Sequence, residues 1–227
     1  MEKMPILEKL SESSLIVQDW GLIPYQEALK RQMDLVQQVF HEESPGYLVM
    51  CTHPPVVTAG RATQPDDIFS WEGETVEVSR GGRATYHGPS QIVLYPILNL
   101  KFPRKGRVEK EVVGYLRVFE NAIVQTLHEI GIESQGRSLQ KKNDSAVDET
   151  GVWTNGRKIA SLGIAVKKWV TYHGPAINFD FDPKAFKGIN PCGFQSDIPI
   201  SVEQLIGTEI SRQQFEKKLI QNVLDAL

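Results

Sequence analysis

The spacing of apolar residues along the chain predicts three helices. In residues 24–41 the apolar side chains recur every three or four positions, so they share one face of a helix. The same spacing over residues 108–130 predicts a long second helix, followed by Gly131 at the position of a C-terminal cap. A third helix is predicted after Ser211, because Gln214 completes a capping-box pattern there.

Short apolar runs and alternating segments predict strands between these helices. The predicted strands are residues 47–51, 75–78, 92–95, 152–154, 157–166 and 176–181. Asn155-Gly156 accepts the positive φ values of a two-residue type I′ turn, so the strands on either side are expected to form a hairpin.

The order of these elements predicts the fold class. Helix, strands, helix, strands and helix follow one another without the regular alternation of a doubly wound sheet. We therefore predict an α+β fold with a mixed, largely antiparallel sheet flanked by helices. No run rich in Gly, Ser or Pro divides the chain, which favours a single domain over residues 1–227. A small C-terminal lobe beyond Asp182 is the alternative.

Composition and charge exclude several classes of protein. No apolar run approaches the roughly 18 residues of a membrane helix. Residues 1–14 lack the order of a signal peptide, so we expect a cytoplasmic location. The net charge of −3 argues against general nucleic-acid binding. Two cysteines are too few for a disulfide framework or a thiolate metal site.

One segment is strongly basic despite the negative net charge. Within residues 101–110, Glu109 is the only acidic residue, and the basic residues are Lys101, Arg104, Lys105, Arg107 and Lys110. A solvated loop is the simpler interpretation of such a run. The alternative is a docking site for an acidic protein, because opposite charge raises the rate of encounter.

The two cysteines have different surroundings in the sequence. Cys51 ends an apolar run, as a packed structural cysteine does, whereas Cys192 lies in the polar loop 190–193. Cys192 is therefore the better candidate for a nucleophile. A reactive thiol needs a nearby positive charge, and Lys158, His87 and His173 are the candidate partners. Their spacing does not choose between them.

The pentapeptide Thr-Tyr-His-Gly-Pro occurs twice, at residues 85–89 and 171–175. The two copies are either similar turns or two loops that line the same cleft from opposite sides. Just before the first copy, Arg80-Gly81-Gly82-Arg83 allows close approach of a ligand to the backbone and favours anions or carbonyl oxygens.

These motifs, taken in order, resemble the lipoyl(octanoyl) transferases of lipoate biosynthesis. The resemblance extends from about Thr52 to Gly193 and is carried by residues 53–55, 60–61, 80–82, 85–89, 151–153, 158–163, 173–178 and 189–193. It implies the fold of biotin and lipoate protein ligases, and a reaction without cofactor or metal. An octanoyl group passes from acyl carrier protein to a lysine of a lipoyl domain. The implied acceptors are lipoyl domains of 2-oxoacid dehydrogenase complexes and the glycine cleavage H protein.

The resemblance also implies roles for individual residues. Cys192 is the nucleophile that forms the acyl-thioester, and Lys158 lowers the pKa of its thiol. The implied pocket for the acyl chain consists of Arg80, Gly81, Gly82, Arg83, Ala84, Thr85, Tyr86, His87, Ser161, Leu162, Gly163, Gly174, Pro175 and Ala176. The sequence departs from the family pattern at Ser90, where glycine is usual, and at Ile200, where threonine is usual.

Three other functions remain open from the sequence. An ATP-dependent lipoate or biotin protein ligase of the same fold needs a lysine but no cysteine. A thiol hydrolase pairs Cys192 with His173. A non-catalytic acyl-binding protein needs neither Lys158 nor Cys192.

Overall fold

A seven-stranded mixed sheet forms the centre of the protein in a computed structural model. The structure describes residues 15–41, 46–101, 109–138, 149–207 and 210–227. In chain order the elements are β1 (Ile16–Leu22), α1 (Tyr25–Phe40), β2 (Tyr47–Thr52), β3 (Val56–Ala59), β4 (Glu74–Glu77), β5 (Thr85–His87), β6 (Gln91–Ile97), α2 (Val112–His128), β7 (Gln135–Gly136), β8 (Gly151–Thr154), β9 (Arg157–Lys167), β10 (Val170–Asn178), α3 (Val202–Ile206) and α4 (Arg212–Ala226).

The strand pairing confirms the predicted α+β class. The large sheet has the order β1-β2-β6-β10-β9-β8-β7, in which β1 and β2 are parallel and every other pair is antiparallel. A smaller three-stranded sheet, β4-β3-β5, lies beside it. The turn residues Asn155 and Gly156 have φ values of 48° and 74°, and they join β8 to β9 in the expected hairpin.

Helices cover both faces of the large sheet, because alternate residues of a strand point to opposite sides. In β6, Ile92 and Leu94 belong to a core cluster that includes residues of α2 and α4. The intervening Val93 and Tyr95 belong to a second cluster that includes residues of α1. The terminal helix α4 thus shares its core with α2 and the sheet. The single domain over residues 1–227 stays a prediction.

The structure corrects the extent of one predicted strand and adds others. Residues 176–181 were expected to form a strand, but β10 begins at Val170 and ends at Asn178. Beyond that point the backbone N–H groups of Phe179 and Asp180 both donate to the carbonyl of Ser90, which ends the regular pairing. The strands β1, β3, β5 and β7 were not predicted. Within the described ranges, no helix is both long and apolar enough to span a bilayer.

Candidate active site

A small cavity lies between the two sheets, next to Cys192. We call it the Cys192 cavity; it measures about 20 Å³, which is room for about one water molecule. It is lined by Tyr25, Arg80, Gly81, Thr85, His87, Tyr95, Ser161, Leu162, Gly163, His173, Gly174, Ala176 and Cys192. The first Thr-Tyr-His-Gly-Pro copy reaches it from β5 and the second from β10. The two copies therefore line one cleft, although as strands rather than loops.

A tight turn holds Cys192 against the cavity. The residue lies in the 3-10 turn Pro191–Gly193 with a φ of 56°, a left-handed conformation that is uncommon for residues other than glycine. Its backbone N–H donates to the carbonyl of Ala84 at 2.9 Å, and its side chain is buried. Such constrained backbone is found preferentially at functional sites.

Cys51 has the structural role that its apolar surroundings predict. It lies in β2, is buried and belongs to the core cluster under α1. Burial raises the pKa of the Cys51 thiol, which keeps the sulfur protonated and unreactive.

Lys158 is buried in a second cavity beside the first. This Lys158 cavity, of about 10 Å³, is lined by Lys158, Ser161, Asn178, Phe186, Pro191, Phe194, Ile198 and Pro199. Ser161 lines both cavities, and Pro191 directly precedes Cys192. The structure therefore places the predicted nucleophile and the predicted lysine in neighbouring cavities.

Aromatic rings and backbone hydrogen bonds fix the position of Lys158. Its Nζ lies 5.6 Å from the ring centroid of Trp153 and 5.7 Å from that of Phe194. Its backbone N–H donates to the carbonyl of Ile198, and its carbonyl accepts from Ile200, both at 3.0 Å. A lysine that is only 4% exposed is unusual in a folded protein, and burial of this kind is typical of functional sites.

Two histidines and a tyrosine form part of the cavity wall. Tyr25 stacks on His87 and His173, with ring centroids 5.7 Å and 6.5 Å apart. The Tyr25 hydroxyl lies 3.2 Å from Nδ1 of His173, and Nε2 of His173 is buried without a hydrogen-bond partner. The Nδ1–H of His87 donates to Oε1 of Gln91 at 3.2 Å.

Burial keeps these histidines neutral. It is the main cause that lowers the pKa of His173 to about 3, and the charge of Arg80 acts in the same direction. Burial also lowers the pKa of His87 well below its usual range, and it lowers the pKa of His53, which directly follows β2. His53 donates from Nδ1 to the carbonyl of Ile23 and accepts from the Tyr95 hydroxyl at 2.7 Å. A neutral His173 or His87 does not supply the positive charge that a thiolate needs, which favours Lys158 as the partner of Cys192.

Arg80 is buried and holds together residues 80–83, which we call the glycine loop. Its guanidinium is buried and donates to the carbonyls of Thr58, Gly81 and Arg83 at 2.9 to 3.0 Å. A Cβ on Gly81 would meet its nearest neighbour at 3.8 Å, whereas one on Gly174 would lie 2.2 Å from the Leu94 carbonyl oxygen. Close packing of β10 on β6 therefore requires glycine at position 174.

Five of the residues predicted for the acyl pocket lie outside the Cys192 cavity: Gly82, Arg83, Ala84, Tyr86 and Pro175. Arg83 forms an ion pair with the buried Asp67, whose carbonyl accepts from Asn190 in the cysteine loop. The Tyr86 hydroxyl donates to Asp182 at 3.3 Å. These residues support the loops around the cavity, and the substrate-binding role of the whole set stays a prediction.

Sequence reasoning did not assign Tyr25 or Tyr95 to this site. Both are buried aromatic residues whose hydroxyls bond to histidines from other elements. Their positions at a helix start and in a buried strand carried no signal of their own. Across the described ranges, no group of three or more His, Cys, Asp or Glu residues is arranged to hold a metal ion.

A larger open cleft follows the end of β10. We call it the open cleft; it measures about 260 Å³ and shares Asn178, Phe186 and Pro199 with the Lys158 cavity. Ser90 and Ile200, the two departures from the family pattern, both line it. Ser201, which follows Ile200, caps α3 by accepting from the backbone N–H of Gln204.

Comparison with known proteins gives consistent matches. The family described as lipoyl protein ligase A/B catalytic domain matches residues 24–224. An octanoyltransferase of Bdellovibrio bacteriovorus is 57% identical over 95% of this chain and 100% of its own length. An octanoyltransferase of Syntrophotalea carbinolica is 34% identical over 90% of both chains.

Solved structures show the same fold at low identity. A lipoate-protein ligase A bound with ATP matches with a TM-score of 0.68 and 13% identity, over 95% of this chain and 85% of that chain. The biotin protein ligase of Aquifex aeolicus without ligand matches with a TM-score of 0.51 and 14% identity, over 93% of this chain and 68% of that chain. The expected likeness to biotin and lipoate protein ligases is confirmed for the fold.

Proposed function

The chain belongs to the lipoyl protein ligase A/B catalytic-domain family and is an acyltransferase of its octanoyltransferase group, and we propose that it carries the octanoyl group as a thioester on Cys192. One observation supports this route above the others. Cys192 lines one cavity and Lys158 the next, with Ser161 shared between them. A buried amine beside a constrained thiol is the arrangement that covalent acyl transfer needs.

In the first step the Cys192 thiolate attacks the thioester carbonyl of octanoyl-acyl carrier protein. The new carbon–sulfur bond forms as the bond to the carrier's sulfur breaks, and the carrier thiol takes up the proton that Cys192 has lost. One thioester replaces another of similar energy, so this step needs no ATP. The role of Lys158 is to stabilise the Cys192 thiolate by its charge.

In the second step a lysine amine of the lipoyl domain attacks the acyl-enzyme. An amide bond forms, Cys192 leaves as the thiolate, and the amine's excess proton passes to solvent. Because an amide is more stable than a thioester, this step drives the whole transfer. Lys158 then stabilises the leaving thiolate as it stabilised the attacking one.

His173 is the side chain proposed to bind the acyl carbonyl oxygen. Burial raises the pKa of Tyr25, so its hydroxyl stays protonated, and in the tautomer proposed here this hydroxyl donates to Nδ1 of His173. The proton of the neutral ring then lies on Nε2, which is buried, unpartnered and part of a cavity-lining residue. A donor to the developing oxyanion typically contributes about 3 kcal/mol to catalysis. Backbone N–H groups near Gly163 or Gly174 are the alternative donors.

The octanoyl chain binds among the small and apolar residues of β9 and β10. Each buried methylene contributes about 0.8 kcal/mol. The Cys192 cavity of about 20 Å³ is too small for an eight-carbon chain, so binding requires its walls to separate.

The basic segment is the proposed docking site for the acidic acyl carrier protein, within the cytoplasm. Lys101 and Lys168 place their ammonium groups 5.9 Å and 4.1 Å from the ring centroid of Phe40. Lys110 lies 5.8 Å from the ring centroid of Trp169, which is 38% exposed. We call these lysines with the two rings the basic patch. Arg104, Lys105 and Arg107 lie outside the described residues.

The acceptors we propose are lipoyl domains of 2-oxoacid dehydrogenase complexes and the glycine cleavage H protein. A related structure, with a TM-score of 0.66, describes an archaeal lipoate protein ligase and its E2 lipoyl domain. An ATP-dependent ligase is less favoured, because the Bdellovibrio and Syntrophotalea relatives are both octanoyltransferases. Transfer in ATP-free buffer separates the two activities.

Intact-protein mass spectrometry tests the proposal. Mixing the enzyme with octanoyl-acyl carrier protein is expected to add one octanoyl group that hydroxylamine removes. Cys192→Ala abolishes this adduct, whereas Cys51→Ala keeps it. An octanoyl adduct that persists in Cys192→Ala would falsify the proposed intermediate.

A further inference from the structure

The open cleft adjoins the two cavities near Cys192. The Cys192 cavity and the Lys158 cavity share Ser161. The Lys158 cavity and the open cleft share Asn178, Phe186 and Pro199. The three spaces therefore lie in a row, with Lys158 in the middle. Neither of the two transfer steps assigns a role to the open cleft.

The chemistry of the cleft differs from that of the cavities behind it. Phe181 lines it with an aromatic ring that is 54% exposed. Asp180, Asp182 and Asp197 are among the residues that line it. Asp180 pairs with Arg212 and Asp182 accepts from Tyr86, while the Asp197 side chain is exposed. Arg157, the basic residue of the lining, donates to the carbonyls of Asp197 and Pro199.

We propose that the open cleft is the subsite through which the acceptor's lysine side chain reaches the acyl-enzyme. This inference rests on the proposed function and names the part of the surface that the second substrate uses. The carboxylates attract the lysine ammonium, and Phe181 packs against the methylene stem of that side chain. The adjacency of the three spaces carries the proposal, and the charges of the cleft favour a lysine as its occupant.

The flexible arm through which acyl carrier protein holds its acyl group is the less suitable occupant of this cleft. That arm is attached through a phosphodiester, whose negative charge the aspartates repel. Strand β10 also separates the two regions: it begins beside the basic patch and ends at Asn178 in the cleft wall. At ~3.3 Å per residue the strand spans about 26 Å. Between its ends, His173, Gly174 and Ala176 line the Cys192 cavity.

The route also prepares the lysine for attack. An amine must lose its proton before it becomes a nucleophile, and both burial and a neighbouring positive charge lower the pKa of an amine. The Lys158 cavity of about 10 Å³ must widen to admit a lysine side chain, as the Cys192 cavity must for the octanoyl chain. An acceptor lysine that passes from the aspartates to Lys158 then meets both effects. The ammonium proton leaves through the open cleft, and the neutral amine attacks the thioester carbon. The nitrogen releases a second proton to solvent as the amide forms and the Cys192 thiolate departs.

The two half-reactions of the full-length enzyme test this assignment. The test variants Phe181→Ala and Asp197→Lys each change an exposed side chain of the open cleft. The control variant Asp34→Lys makes the same charge change as Asp197→Lys, but at an exposed position of α1. Each protein is first octanoylated by octanoyl-acyl carrier protein. The isolated acyl-enzyme is then treated either with a lipoyl domain or with hydroxylamine.

We expect the two cleft variants to lose about tenfold in kcat/KM for the lipoyl domain, mainly through KM. The rate at which octanoyl-acyl carrier protein octanoylates these variants, and the rate at which hydroxylamine removes the octanoyl group, are expected to match those of Asp34→Lys and the wild type. Slower octanoylation in the cleft variants would assign the cleft to the carrier and overturn the proposal. Unchanged transfer to the lipoyl domain in both variants would also overturn it. Failure of the wild type to become octanoylated refutes the proposed function, which is a separate result.

Discussion

Acidification is expected to destabilise the protein through its buried histidines. His173 has a pKa of about 3 in the folded state, against an ordinary value of 6.5. Because the unfolded state binds the proton more tightly, the contribution of a neutral His173 is complete above about pH 6.5 and is lost as the pH falls toward 3. At pH 5 the loss is roughly 2 kcal/mol, from a difference of about 1.5 pH units at 1.36 kcal/mol each.

The neighbouring histidines act in the same direction. Burial lowers the pKa of His53 and of His87, so each adds a further loss over the same range. The groups that face this cluster are Tyr25 from α1, Tyr95 from β6 and Arg80 from the glycine loop. A total loss of several kcal/mol is a large fraction of the roughly 5 to 15 kcal/mol that stabilises a typical domain.

Urea unfolding at pH 8 and pH 5 measures this effect. The wild type is expected to lose several kcal/mol of unfolding free energy between the two values. His173→Asn, which tolerates the φ of 58° at this position, is expected to reduce that difference by roughly 2 kcal/mol. His128→Asn is the control, because His128 is exposed on α2. An equal pH dependence in His173→Asn and the wild type would refute the reasoning.

Three further predictions concern the catalytic pair, the docking site and the glycine of β10. Lys158→Ala is expected to slow iodoacetamide alkylation of Cys192 at pH 7 about tenfold, and an unchanged rate across pH would remove Lys158 from its role. Reversing the charges of Lys101 and Lys168 should lower the rate of octanoylation by acyl carrier protein more at low salt than at high salt, because salt screens the attraction between exposed charges. The control Lys217→Glu should not show this difference. Equal losses at both salt concentrations would count against electrostatic steering of the carrier. In urea unfolding, Gly174→Ala is expected to destabilise the protein by at least about 2 kcal/mol, because the added Cβ would lie 2.2 Å from its nearest neighbour. Gly81→Ala is expected to destabilise it by less than about 0.5 kcal/mol, because the nearest neighbour there is 3.8 Å away. Similar values for both variants would contradict the packing argument.

Local sequence signals predicted the elements that depend on few residues. The hairpin of β8 and β9 follows from Asn155-Gly156, and the cap of α4 follows from Ser211 and Gln214. The apolar neighbours of Cys51 and the polar neighbours of Cys192 predict the positions that the structure shows, a buried strand for the first and a turn beside a cavity for the second. These features depend on residues that are close in sequence, so a single segment carries the information.

Other features depend on contacts between distant segments. Strand β5 has only three residues, and it forms a strand because it pairs with β3. The neutral state of His173 results from burial under α1, whose Tyr25 lies 148 positions away. For this reason sequence spacing could not choose between Lys158 and the histidines as the partner of Cys192.

The small size of the Cys192 cavity has a consequence for the lifetime of the acyl-enzyme. A space of about 20 Å³ admits about one water molecule, and an octanoyl chain that binds there by separating the walls leaves no room for water beside it. The thioester then lies in an environment that holds little water until an amine arrives, so its spontaneous hydrolysis is expected to be slow. A site of this shape favours aminolysis by restricting which nucleophiles reach the carbonyl carbon.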